Sequence, residues 1–295
     1  MVDFVGDVHG RADQLHTMLS ELGYVRHGGI YGHPDSVAVF VGDLINKGNQ
    51  NREVLSTVKA MVDAGKARVV LGNHERNLVG LFHQHKHHEY IQPPTDKNRM
   101  QHALTFESFV GDESGLQAYI QWMRQIPLFL ETDTFRVAHA CWHQPSIAFL
   151  RERFPQNCLD DHLLDEMVPG SEALLALQQV IDGPRLPLPK RGEKSTFKVK
   201  WWNLQRTDAY RELSVRPDVG LGNPRIDTAG LRLSDYRYPE DERPFFFGHY
   251  NLPGQPVLMG PNYACLDFNT EDRPLLVAYR WEGESRLDSR KLCWC

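Results

Sequence analysis

Cysteine is scarce in this chain, long apolar runs are missing and basic residues are not in excess; each shortage excludes a class of protein. Five cysteines in 295 residues, an odd number without regular spacing, do not make a disulfide framework, and Cys293-Trp294-Cys295 is too short a pair for a metal knuckle. That usage fits a reducing cytoplasm. No apolar run approaches membrane-spanning length, so no membrane partner is expected. The first residues already read as a strand, which leaves no room for a signal peptide. Lys and Arg total 33 against 38 Asp and Glu, a net charge of -5, and no Lys/Arg block speaks for nucleic acid as a partner. There is no internal repeat and no low-complexity segment.

What is present is a recurrence of polar residues after short apolar runs. Gly6-Asp7-Val8-His9-Gly10 follows Met1 to Val5, Gly42-Asp43 follows the β-branched run Val37 to Val41, and Gly72-Asn73-His74-Glu75 follows Arg68 to Leu71. Between them, Arg11 to Leu22 and Glu53 to Ala64 carry apolar residues at helical spacing. The motifs recur about 30 to 36 residues apart, the length of a βαβ unit, so consecutive parallel strands would bring all three to one crevice at their carboxyl ends. Carboxylate, amide and imidazole donors without thiolates suit Mn, Fe, Zn, Co or Ni.

Beyond Glu75 the pattern turns helical, with helices expected over Arg76 to Phe82 and Gly115 to Gln125. The histidines 83, 85, 87 and 88 read as a solvated helix end. Pro127 to Leu130 and Phe135 to Ala138 read as a hairpin delivering His139 at a strand end; His143, four residues on, is the rival. Residues 147–242 are poorer in β-branched runs and rich in Pro, Arg and turn residues, and are expected to form an inserted cap between the halves 1–146 and 243–295. At 295 residues one domain with a large insertion and two domains are equally compatible with the length. Within the insertion, Trp201-Trp202 offers either a stacking surface or packing onto the core. Lys190, Arg191, Lys194, Lys198 and Lys200 read as a solvated basic loop. Strand character returns at Pro244 to Phe247, which delivers His249; the runs Tyr263 to Phe268 and Leu275 to Trp281 are expected to complete a second sheet. The fold class expected is α/β, a mixed two-sheet sandwich, one sheet from each half, flanked by helices.

Taken together and in this order, Gly6-Asp7-Val8-His9-Gly10, Gly42-Asp43 through Lys47-Gly48, Gly72-Asn73-His74-Glu75, His139 and His249 resemble the motifs of calcineurin-like metallophosphoesterases, most nearly the bacterial branch of the PPP-type phosphatases, which includes diadenosine tetraphosphatases. The resemblance implies two divalent metal ions, with Mn favoured. Asp7, His9 and Asp43 would hold the first, and Asp43 would bridge to a second held by Asn73, His139 and His249. It implies that His74 faces the leaving group as general acid and that Lys47 stands where the family usually has a phosphate-binding Arg; Lys47 and Asn73 are the expected phosphate contacts. Two such ions lower the pKa of a bridging water and stabilise charge in an in-line displacement at phosphorus. Imidazole suits the acid because it titrates near neutrality.

One departure from the family pattern is informative. Protein phosphatases of this type usually read Gly-Asp-x-x-Asp-Arg-Gly, whereas this chain reads Gly42-Asp43-Leu44-Ile45-Asn46-Lys47-Gly48. Asn46 can orient His74 by a hydrogen bond but supplies no charge to favour its protonated form. The enzyme is therefore expected to prefer leaving groups that need little protonation, such as phosphoanhydrides or aryl phosphates, over serine and threonine alkoxides, with a lean to a nucleotide polyphosphate or another small phosphorylated substrate. The alternatives are a serine/threonine or tyrosine phosphoprotein phosphatase and a noncatalytic scaffold that keeps the fold.

Overall fold

The computed structural model describes residues 1–84, 91–188, 195–269 and 274–295. The histidines 85, 87 and 88 and the basic residues 190, 191 and 194 lie outside the described residues. Two mixed sheets form the centre. In the first, Val2–Val5, Val37–Phe40 and Ala67–Val69 run parallel, with the helices Ala12–Glu21 and Asn51–Asp63 in the two connections. The order continues on the other side of Val2–Val5 through Pro274–Trp281, Asp267–Asn269 and Leu252–Pro253. The second sheet has the order Tyr263–Cys265, Phe245–Phe247, Arg136–Ala138, Phe129–Glu131.

The sheets do not divide by halves of the chain as the sequence suggests. Pro274–Trp281 pairs antiparallel with Val2–Val5, so C-terminal strands complete the first sheet, and the hairpin Phe129–Glu131/Arg136–Ala138 joins the second. Burial gives the reason: Leu275 to Tyr279 is buried on both faces, which suits a strand with neighbours on both sides rather than an edge. Leu292–Trp294 pairs beside it. The run Tyr263 to Phe268 also divides, because the chain passes from one sheet to the other at Leu266.

Alternation along Phe245–Phe247 sets the packing. Phe246 points toward the first sheet and stacks on Phe4, ring centroids 3.6 Å apart at 11°. Phe245 and Phe247 point the other way and meet Trp201 at 6.1 and 5.3 Å. Trp201 and Trp202 are both buried, and the Trp201 indole N–H donates to Ala140 O at 3.1 Å. Both indoles therefore pack residues from the 147–242 stretch onto the second sheet; neither is a free stacking surface. Among the described residues no helix is long and apolar enough to cross a membrane.

Phe4 is fully buried where the two sheets meet, so Phe4→Ala should cost about 3–5 kcal/mol, read as a lower urea midpoint, and Phe4→Leu distinctly less. A loss under about 1 kcal/mol for the alanine variant would contradict this account of the interface.

Candidate metal centre

The polar motifs occupy the loops that leave the strands. Residues 6–10 follow Val2–Val5 and residues 41–48 follow Val37–Phe40. Asn73 and His74 differ slightly from expectation: they open the helix Asn73–Phe82 rather than simply ending a strand. These loops touch. A Cβ on Gly42, whose φ is +100°, would lie 2.7 Å from Gly72 N, and one on Gly248 would lie 1.9 Å from Asp7 Oδ1. Only glycine permits such approach.

Seven described non-glycine residues have positive φ: His9, Asp43, Asn46, Lys47, Asn157, His249 and Asn251. All but Asn157 belong to these loops. Backbone strain of this kind persists where surrounding contacts over-determine it, and it gathers at functional sites. A chief contact is Glu75. Its Oε1 accepts from the N–H groups of Leu44 and Ile45 at 2.9 and 3.2 Å, and Oε2 from those of Asp43 and Gly72 at 2.9 and 3.1 Å. Burial and Asp43 push this carboxyl up to about 7, against the N–H donors that favour its ionised form.

Asp43 stands at the middle of the cluster. Its Oδ2 is 3.8 Å from His9 Nε2 and 3.7 Å from His74 Nε2; its Oδ1 is 3.3 Å from His139 Nε2. Asp7 Oδ2 lies 3.7 Å from His9 Nε2 and accepts from the His249 N–H. On the other side, Asn73 Oδ1 is 3.3 Å from His139 Nε2 and 2.9 Å from His249 Nδ1. The structure thus brings Asp7, His9, Asp43, Asn73, His139 and His249 together, and His74 with them. His143 is elsewhere: it caps the helix Gln144–Arg153 through Ser146.

These residues fit metal ions. His139 Nδ1 is 2.7 Å from the Val41 carbonyl and His9 Nδ1 is 3.2 Å from that of Ile45. A carbonyl only accepts, so each Nδ1 carries the proton and each Nε2 turns its lone pair inward, the arrangement of metal-binding imidazoles. Asp43 Oδ1, Asn73 Oδ1 and His139 Nε2 then converge as acceptors and require positive charge among them. Asp7 Oδ1 and His249 Nε2 are buried with no hydrogen-bond partner among the described residues. Burial, Asp267 and Asp43 hold the Asp7 carboxyl well above its ordinary range, as crowding of acidic groups does.

Beside the expected Lys47, three residues that sequence reasoning left aside belong here: Lys198, Asp267 and Glu75. Lys198, from the strand Thr196–Lys198, is partly buried and its ammonium donates to His249 O at 2.8 Å; desolvation lowers its pKa. Lys47 lies at the edge of the same cluster, its Nζ 2.5 Å from His9 Nε2. Asp267 Oδ2 accepts from the Asn251 N–H at 2.6 Å, and an oxygen of Asp267 lies within 4.8 Å of ligand atoms of Asp7 and His9. Its sequence signal was an Asp beside an apolar run, and Glu75 was visible only as the last residue of its motif.

Glu75→Gln would set an amide NH2 against backbone N–H donors. It should lower stability by about 1–3 kcal/mol and divalent-metal affinity by about ten- to a hundred-fold, measured by urea unfolding and Mn titration calorimetry. Unchanged metal affinity would mean that Glu75 does not set the Asp43 loop.

Similarity to known proteins agrees with this geometry. Residues 1–167 match the family model of calcineurin-like phosphoesterases. The asymmetrical bis(5'-nucleosyl)-tetraphosphatase PrpE of Halalkalibacterium halodurans is 27% identical over 253 residues, covering 81% of this chain and 91% of that relative. The PrpE tetraphosphatase of Geobacillus thermodenitrificans is 38% identical over 82 residues, 28% of this chain and 34% of the relative. The fold is also that of a cold-active protein-tyrosine phosphatase from a Shewanella species, with a TM-score of 0.50 at 16% identity, covering 95% of this chain and 75% of that one. The chain therefore belongs to the calcineurin-like phosphoesterase family and is a metal-dependent phosphoesterase.

Proposed function

We propose that this phosphoesterase hydrolyses phosphoanhydride bonds in a nucleoside polyphosphate, with Asp7, His9 and Asp43 holding one divalent ion and Asp43, Asn73, His139 and His249 a second. Mn is the proposed metal and the cytoplasm the proposed compartment. When bound, the ions supply Lewis acidity at the phosphoryl oxygens and an activated water.

The observation that carries the substrate is the pair of lysines at the cluster, Lys47 beside the His9 ring and Lys198 bonded to the His249 carbonyl. A polyphosphate presents charge beyond the reacting group, and two ammonium groups at the cluster provide for it as point charges. Lys198 also lines a cavity of about 400 Å³ with Phe197, Tyr210, Arg216, Tyr250 and Asn251, which gives room for the organic part of a small substrate. Residues 147–242, which supply Lys198, act in this reading as the substrate-side cap between 1–146 and 243–295. Asn73 and Lys47 touch phosphate. His74 Nε2 faces Asp43 Oδ2 at 3.7 Å, and from there it donates to the leaving oxygen. Its Nδ1 is 2.6 Å from Asn46 Nδ2. Asn46 adds no negative charge there, which suits a leaving phosphate that is stable as an anion.

With the Mn-loaded protein, diadenosine tetraphosphate should be cleaved at least ~10-fold more efficiently than a phosphothreonine peptide, a difference of about 1.4 kcal/mol in the barrier. Lys198→Ala should raise KM for the tetraphosphate by roughly tenfold or more, the worth of one charge-assisted hydrogen bond, while changing p-nitrophenyl phosphate hydrolysis less. A preference for the peptide would overturn the reading in favour of a protein phosphatase. Asn46→Asp should shift relative activity toward alkyl phosphates over aryl phosphates, and an unchanged ratio would exclude Asn46 as the source of selectivity.

A further inference from the structure

Residues 180–184, from the 147–242 stretch, touch the segments that carry His139, His249 and Asn73. The Val180 carbonyl accepts from the N–H groups of Ala140 and Cys141 at 3.0 and 3.2 Å, just after His139. Gly183, whose φ is +66°, packs so closely on Tyr250, the residue after His249, that a Cβ there would lie 2.3 Å from the tyrosine hydroxyl. Asp182, at the C-terminal end of the helix Glu172–Ile181, makes the third contact. Its carboxylate accepts from Arg76 Nη1 at 2.5 Å and from Nη2 at 3.4 Å. Arg76 lies one turn along the helix Asn73–Phe82 from Asn73, and Asn77 Oδ1 steadies it by accepting from Nε and Nη2 at 3.2 and 2.8 Å.

The chain runs directly from this contact to Lys198. Pro184 O accepts from the Val199 N–H at 3.1 Å, and in the hairpin Arg185–Pro187/Thr196–Lys198 the residue opposite Lys198 is Arg185. These two strands form a sheet of their own. A two-stranded ribbon is too weak to hold its own attitude, so the residues at its root set where it points. An Arg–carboxylate pair joined by two hydrogen bonds fixes direction as well as distance. Its side chains are sheltered, 13% and 20% exposed, so salt screens the pair little. Beyond Lys198, the Trp201 indole is anchored on Ala140 O. That anchor does not involve Asp182, so the insertion stays docked when the ion pair is broken. What changes is the reach of the Lys198 ammonium toward His249 O, 2.8 Å in the structure.

We propose that Arg76 and Asp182 are positioning residues for substrate binding: their ion pair ties the root of the hairpin to the helix that carries Asn73 and His74, and so holds the Lys198 ammonium where it meets the outlying phosphates of a polyphosphate. This rests on the reading of Lys198 as a phosphate contact. Both residues act through Lys198, and neither touches the substrate. If the two charges acted directly on an anionic substrate, Asp182 would repel it and Arg76 attract it, and neutralising them would move KM in opposite directions. A tie moves KM the same way whichever end is cut.

The test uses the Mn-loaded protein with Arg76→Gln and Asp182→Asn, each assayed alone and together with Lys198→Ala. Each single variant should raise KM for diadenosine tetraphosphate roughly three- to tenfold, with kcat changed less than about twofold, and should add nothing further once Lys198 is replaced. Hydrolysis of p-nitrophenyl phosphate and Mn content should both hold. Acetylation of Lys198 by acetic anhydride, followed by mass spectrometry, should run faster in both variants because the ammonium is released from His249 O. Opposite shifts of KM, or effects that persist in full beside Lys198→Ala, would overturn the proposal. So would lost Mn or an equal loss on p-nitrophenyl phosphate, which would mark the pair as a contact of the fold alone. If Lys198→Ala itself leaves KM unchanged, the reading of Lys198 fails, and the acetylation rates still decide whether the pair holds the lysine; unchanged rates in both variants would show that it does not.

Discussion

The carboxylate of Glu75 is the contact on which the rest of the site depends. Residues Asp43, Asn46 and Lys47 have positive φ, a conformation that L-residues adopt only when something else requires it. Four backbone N–H groups, of Asp43, Leu44, Ile45 and Gly72, converge on this one buried side chain. The clamp joins the loop after Val37–Phe40 to the start of the helix Asn73–Phe82. It thereby sets the distance between Asp43 and the pair Asn73 and His74. The two sheets, held by Phe4 on Phe246, then bring His139 and His249 to the same place from the other side.

Part of the cluster was legible in sequence because Asp7, Asp43 and His249 follow a glycine at the end of a short apolar run and His139, unlike His143, follows such a run directly. A strand that ends at a crevice delivers its next side chains into it, while the roles of the residues came from the family resemblance. The first three strands were legible from the same apolar runs. The assignment of Pro274–Trp281 to the first sheet was not, because an apolar run shows that a strand is buried and not which strand it pairs with. The two tryptophans were ambiguous from sequence, since an indole that packs and one that stacks a ligand look alike there. Lys198 sat in a basic run that read as a solvated loop; only pairing with Arg185–Pro187 aims it at His249. Arg76 and Asp182 lie 106 residues apart, and no local pattern announces a contact of that range.

The polarity around His74 connects these details. A carboxylate in place of Asn46 would favour the charged form of the ring, whereas a neutral amide supplies no such charge. Positive charge enters instead through Lys47 and Lys198 at the cluster. In the proposed reading, the cationic groups beside the cluster answer the charge of a polyphosphate, and Asn46 adds none at His74. Asp7 lies close to Asp267 and to Asp43, and cations held among these carboxylates would compensate their charge.

The most direct measurement is the metal content of the purified protein by mass spectrometry after equilibration with Mn and removal of free ions. The account predicts two ions per chain in the wild type, about one in His249→Ala, and loss of both in Asp43→Ala because that carboxylate serves both positions. A single ion in the wild type, or two retained in Asp43→Ala, would contradict a dinuclear centre built around Asp43.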